Sequence, residues 1–146
     1  MNEAKSILVA EDDDNDVELT LFALEEHRLA HRVELVRDGQ EALDYLFCRG
    51  KFVGRRGGNP AVVLLDVKMP KVSGLEVLHQ IKTTEHLKRI PVVLFTSSRE
   101  PGDVKQGYDN GANAYVVKPF GLSEFTDALR RVGVFWTAIN EVPSAA

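Results

Sequence analysis

Short runs of apolar, mostly β-favouring residues recur along the chain, and each stops abruptly at a polar one. Ile7-Leu8-Val9-Ala10 ends in Glu11-Asp12-Asp13, and Val62-Val63-Leu64-Leu65 ends in Asp66. Val92-Val93-Leu94-Phe95 ends in Thr96-Ser97, and Tyr115-Val116-Val117 ends in Lys118-Pro119. Unbroken apolar runs of this length read as strands covered on both faces, as in a parallel sheet. Val33-Glu34-Leu35-Val36 reads as one more strand, second in chain order.

The intervening segments carry helical spacing. Val17, Leu21 and Leu24 mark one face of a helix running to about residue 27. Asp38 and Glu41 have capping-box spacing and open a helix from Glu41 to about Cys48; Ser73 and Glu76 repeat the signature ahead of Val77, Leu78 and Ile81. Pro101 opens the next helix and Asn110-Gly111 closes it. A last helix is expected from about Ser123 to Asn140, with Phe135, Trp136 and Ile139 on an overhanging final turn. The segment from Arg49 to Pro60, with four glycines and four basic residues, reads as a long exposed loop.

Strict alternation of strand and helix predicts an α/β fold, a (βα)5 doubly wound parallel sheet of flavodoxin-like order 2-1-3-4-5. In that order the first and third strands are neighbours at the switch point. Glu11, Asp12 and Asp66 then share one crevice, with Thr96 and Lys118 at the next strand ends. Packed carboxylates repel one another, and a hard divalent cation, Mg2+ or Mn2+, relieves that repulsion. A carboxylate such as that of Asp66 can also attack phosphorus. Lys118 supplies a positive charge and Thr96 a hydroxyl for phosphoryl oxygens, with backbone N–H groups after Asp66 as further donors. Singly, these residues have ordinary readings: Asp13, Asp14 and Asn15 as helix caps, Thr96 as a cap, Asp66 and Lys118-Pro119 as turns. Their coincidence at four strand ends carries the inference.

Composition narrows the picture. The length fits a single domain over residues 5–140 with a tail at 141–146 and no attached output domain. A net charge of −4 speaks against nucleic-acid binding. No apolar run is long enough to span a membrane, and no signal-peptide pattern precedes the first strand. The single cysteine, Cys48, excludes an internal disulfide and reads as a partly buried apolar residue, consistent with the cytoplasm. His27, His31, His79 and His86 lack metal-ligand spacing and read as surface residues. No glycine-rich nucleotide-binding motif follows any strand.

The chain resembles the receiver domain of two-component response regulators, the chemotaxis-receiver (CheY-like) type. The matching motifs are Ile7 to Asp13, Asp38-Gly39-Gln40-Glu41-Ala42-Leu43, Leu65-Asp66-Val67-Lys68-Met69-Pro70, Ser73-Gly74, Pro91 to Thr96, Gly111-Ala112 and Lys118-Pro119-Phe120. The resemblance implies that Asp66 is the phosphoacceptor and that Asp12, Asp66, the backbone carbonyl of Lys68 and, through water, Glu11 hold the metal. It implies that Thr96 and Lys118 bind the phosphoryl group, that Tyr115 is an aromatic switch responding to Thr96, and that Lys68 and Ser98 tune phosphate loss. Glu11 stands where many relatives have Asp.

The long loop after Arg49 and the Phe135-Trp136 ending are similar to small regulators paired with bacterial phytochrome histidine kinases. Such a kinase is the implied partner; the apolar overhang at Phe135, Trp136 and Ile139 predicts a homodimer through the fourth helix, fifth strand and fifth helix, and a receiver with no attached effector would act through a downstream phosphotransfer or target protein. A phosphatase of the haloacid dehalogenase type also uses an Asp nucleophile after a parallel strand. It needs an acid–base Asp two residues on, where this chain has Lys68. A phosphorylation-independent binding module would have no use for the full polar set.

Overall fold

The computed structural model describes residues 5–26, 32–56 and 58–143; the readings of His27 and His31 lie outside them. Five strands alternate with five helices among these residues. They are β1 (Ser6–Ala10), α1 (Asp14–Glu26), β2 (Arg32–Val36), α2 (Gly39–Leu46), β3 (Val62–Leu65), α3 (Gly74–Lys82), β4 (Val92–Thr96), α4 (Pro101–Asp109), β5 (Ala114–Val117) and α5 (Leu122–Val134). All strand pairs are parallel and the order is β2-β1-β3-β4-β5, as the apolar runs predict.

Side chains of a strand alternate between the two faces of its sheet, so each run feeds two cores. Leu8, Val63, Leu65 and Leu94 pack with Leu43 and Leu46 of α2 and with Val77, Leu78 and Ile81 of α3. Ile7, Val9, Leu64, Val93 and Phe95 pack on the other face with Leu24 of α1 and with Phe125 and Leu129 of α5. β1, β3 and β4 are covered on both sides, hence their continuous hydrophobicity. The edge strand β5 is half-buried throughout.

Both N-caps form: Asp38 Oδ1 accepts from the Glu41 N–H at 2.7 Å, and Ser73 Oγ from the Glu76 N–H at 3.2 Å, while the Glu41 carboxylate accepts from the Arg37 N–H rather than closing the box. Helix ends depart from the expected limits in three places, the first being α2, which opens at Gly39 rather than Glu41, directly after its N-cap Asp38. α2 stops at Leu46 rather than Cys48, because Cys48 takes a left-handed conformation with φ 53° just beyond the cap. The final helix is not uniform to Asn140. α5 ends at Val134 and passes into a wide π-helical turn over Phe135–Ile139.

The described residues of the loop from Arg49 to Pro60 are mostly exposed, as expected, but Phe52 and Arg55 fold back onto α2. The loop contains a 3₁₀ turn, Gly50–Phe52, in which Phe52 meets the ring of Tyr45 edge-on at 5.1 Å. The Arg55 guanidinium covers the Tyr45 ring at 4.0 Å. His79 and His86 are exposed, as expected.

Candidate functional site

The carboxyl ends of four neighbouring strands form the site. The segment after β1 is tied to β2 by the Glu11 N–H donating to Val36 O at 3.0 Å, and Asp66 N–H donates to Ala10 O at 3.2 Å. Lys118 N–H donates to Thr96 O at 2.8 Å. These bonds extend the ladders by one residue, so Glu11, Asp66 and Lys118 each sit one step beyond their strand, at the sheet's rim. Gly74 tightens the same region. A Cβ there would lie 1.9 Å from the Asp66 carbonyl oxygen, so only glycine lets the start of α3 pack against the loop that follows Asp66.

Glu11, Asp66 and Lys118 are buried, at 4%, 8% and 8% exposure, whereas Asp12 is exposed. One carboxylate oxygen each from Glu11, Asp12 and Asp66 lies within 4.8 Å of the others. The Lys118 ammonium sits among three carboxylates: Glu11 Oε1 at 2.5 Å, Asp16 Oδ2 at 2.7 Å and Asp66 Oδ2 at 2.8 Å. Asp66 Oδ1 accepts the Lys68 N–H at 3.3 Å. Burial pushes the Glu11 carboxyl up to about 7, against the pull of Lys118. For Lys118, burial opposes the charge, but hydrogen bonds to Asp16, Asp66 and Glu11 outweigh it and hold the ammonium well above its ordinary range.

Thr96 is buried at the end of β4, where its hydroxyl accepts the Ser98 N–H at 3.3 Å. Ser98 Oγ in turn donates to Asp103 Oδ2 at 2.5 Å. Tyr115 is half-buried, and its hydroxyl donates to Ser98 O at 2.8 Å, tethering β5 to the segment that follows Thr96. Of the residues expected at an overhanging turn, Phe135 and Ile139 are exposed, at 44% and 63%. Trp136 instead turns inward onto the core shared by α1 and α5, with Phe135 edge-on to it at 4.8 Å.

Sequence reasoning missed two residues here. Asp16 belongs to the charge cluster around Lys118, although 102 positions separate them. It lies in the first turn of α1, within an acidic run that gives no local signal to single it out. Of that run, Asp13 is a cap, accepting the Asp16 N–H at 2.9 Å, whereas Asp14 pairs with Arg37. Arg37 is the second omission, since no local pattern announces it.

The donor set suits a hard divalent cation: it is all carboxylate oxygen, carries excess negative charge, and offers no thiolate or imidazole. Beside it a groove runs between α1 and the segment after β5, lined by Asp16, Leu19, Lys118, Phe120 and Leu122, with Phe120 fully exposed.

The family model for the response regulator receiver domain matches residues 7–130. The chain belongs to that family. As a receiver it is 37% identical to the probable methanogenesis regulatory protein FilR2 of Methanothrix harundinacea, over 96% of this chain and 88% of that protein. It is 33% identical to response regulator Rcp1 of Synechocystis sp., over 99% and 97%. The Mn(2+)-bound form of Rcp1 matches the fold with a TM-score of 0.89, covering 96% of this chain and 99% of that one. The phosphorylated cyanobacterial phytochrome response regulator RcpA matches with a TM-score of 0.90 at 36% identity, over 96% and 99%. The bacteriophytochrome response regulator AtBRR is 53% identical, over 96% and 100%, with a TM-score of 0.76. The receiver is thus similar to phytochrome response regulators over nearly its whole length.

Proposed function

We propose that this receiver is a two-component response regulator that takes a phosphoryl group from a sensor histidine kinase onto Asp66, in a reaction dependent on Mg2+ or Mn2+. The observation that carries the reading is the position of Asp66 Oδ2, 2.8 Å from the Lys118 ammonium and inside the carboxylate cluster with Glu11 and Asp12. Glu11, Asp12, Asp66 and the backbone carbonyl of Lys68 would hold the metal. When bound, it supplies positive charge that screens an incoming phosphoryl group from the acidic pocket.

The chain's own residues do the rest. A carboxylate oxygen of Asp66 attacks the phosphorus of a phosphohistidine. An O–P bond forms as the N–P bond breaks, and the departing imidazole nitrogen keeps the electron pair and takes up a proton. Lys118 and the Thr96 hydroxyl neutralise and orient the phosphoryl oxygens. The Thr96 hydroxyl accepts the Ser98 N–H through a lone pair and keeps its O–H to donate to the phosphoryl group, so a movement of Thr96 toward that group would carry Ser98, whose carbonyl holds the Tyr115 hydroxyl. Phosphorylation at Asp66 therefore acts on the α4–β5–α5 face through Ser98 and Tyr115.

The protein is a phosphoacceptor rather than an enzyme with an external product, although the same site would accept phosphate from small donors and hydrolyse it slowly. The kinship with Rcp1, RcpA and AtBRR supports a bacterial phytochrome kinase as the partner and a cytoplasmic setting. Among the described residues no helix is long and apolar enough to cross a membrane. The exposed Phe120 and Leu122 beside Lys118 offer that partner an apolar rim next to the nucleophile. Exposed Tyr108, Phe135 and Ile139 support a homodimer through α4, β5 and α5.

The test is phosphotransfer from a panel of autophosphorylated histidine kinases, phytochromes included. Transfer of label to the wild-type chain, absent with Asp66→Asn, is expected. Label retained by Asp66→Asn would overturn the reading.

A further inference from the structure

Arg37 follows β2, and its side chain crosses to the loop after β1. Its Nη2 donates to the backbone carbonyl of Asp12 at 3.0 Å and pairs with the Asp14 carboxylate. Its own backbone is fixed too, because its N–H donates to Glu41 Oε1 at 3.2 Å, and the other Glu41 oxygen pairs with Lys51 at 3.1 Å. A guanidinium beside an acidic loop would be expected to capture the nearest carboxylates. Here it takes the peptide oxygen of Asp12 and the side chain of Asp14. Among the described residues, no hydrogen bond or ion pair occupies the Asp12 carboxylate, which lies with those of Glu11 and Asp66.

We propose that Arg37 is a positioning residue for the metal site: by gripping the Asp12 backbone it aims the Asp12 carboxylate into the cluster while leaving that carboxylate free for the cation. This rests on the proposed Mg2+-dependent function and deepens it. Two physical effects of removing Arg37 have opposite signs. Deleting a cation beside three carboxylates makes the pocket more negative and, by electrostatics alone, tightens cation binding. Releasing the loop lets Asp12 turn away from its partners, which weakens binding. Loss of an outer residue that orients a ligand typically costs roughly tenfold or more in metal affinity.

The experiment is calorimetric titration of the full chain with Mg2+, alongside thermal melting without metal. Arg37→Met keeps the aliphatic stem and removes only the guanidinium, and Arg37→Lys keeps a charged donor of similar reach. Mg2+ binding weakened about tenfold in Arg37→Met, with largely restored affinity in Arg37→Lys, is expected. Should Arg37→Met fail to fold, Arg37→Ala is the second variant and carries the same expectation. Affinity that is unchanged or tighter on removal of the guanidinium overturns the role of Arg37 while leaving the proposed function intact. A wild-type chain that binds no Mg2+ overturns the proposed function itself, and this role with it.

Discussion

Lys118 is the residue on which the site's electrostatics turn. Its ammonium touches Glu11, Asp16 and Asp66, with Asp12 close by, so one positive charge faces an excess of negative ones. Removing one partner from a buried ionic cluster typically costs about 3 kcal/mol or more, because the remaining charges stay buried and unpaired. Lys118→Ala is therefore expected to lose about 3 kcal/mol in denaturant unfolding without metal, and to regain much of it in Mg2+. A loss that Mg2+ does not reduce would contradict the placement of the cation site.

Glu11 gives a pH signature. Its carboxyl is raised by burial from the usual 4.5 to about 7, so the folded chain holds this proton more tightly than the unfolded chain does. The resulting stability is fully present below pH 4.5 and is lost as pH rises through about 7. In the metal-free protein the melting temperature should fall by several degrees across that window. Glu11→Gln should flatten the fall, and a wild-type profile already flat would contradict it.

At this scale the sequence was informative where residues end strands and silent where partners are distant. Glu11, Asp12, Asp66, Thr96 and Lys118 announce themselves by interrupting apolar runs. Asp16 and Arg37 matter only through contacts that the tertiary fold creates, Asp16 with Lys118 and Arg37 with Asp12 and Asp14, and no local period encodes them.

Elements were legible in proportion to how strongly local chemistry dictates them. β1, β3 and β4 are buried on both faces, so their hydrophobicity marks them within a residue. The caps at Asp38 and Ser73 are local hydrogen bonds between residues three apart, and both form as read. Ser73→Ala should cost about 1 kcal/mol in denaturant unfolding, as loss of an N-cap usually does. No change would show that solvent replaces the Ser73 contact.

Gly74→Ala should cost more, since its Cβ would strike the Asp66 carbonyl oxygen and force the loop after the nucleophile to shift. The shift should also weaken Mg2+ binding in calorimetry, and unaltered affinity would contradict the coupling. Two features were not legible. The π-helical turn over Phe135–Ile139 has no signature in apolar spacing, and it accompanies the inward placement of Trp136. The loop after Arg49 is mostly exposed, as its composition indicates, but the fold-back of Phe52 and Arg55 onto the Tyr45 ring has no signature in that composition.

For the whole molecule, the doubly wound sheet gathers the polar ends of β1, β3, β4 and β5 at one rim, and the proposed switch would carry a change there to the α4–β5–α5 side. In that proposal Tyr115 would be the link: its hydroxyl rests on the Ser98 carbonyl and its ring packs against the core shared by β4 and α3. Dimerisation through that side is expected from light scattering at tens of micromolar, in the presence and absence of a phosphate mimic. A monomer in both conditions would contradict it. Phe135→Ala with Ile139→Ala should shift the equilibrium toward monomer, whereas Trp136→Ala should chiefly destabilise the fold, because that ring is packed internally.

Transfer of phosphate to a single carboxylate under metal control is tested most directly by incubating the chain with a small acyl phosphate, with Mg2+ or with a chelator, and locating the adduct by peptide mass mapping. The expected result is one phosphoryl group on Asp66 with Mg2+, little without it, and none in Asp66→Asn. Modification elsewhere, or equal modification with the metal removed, would contradict it.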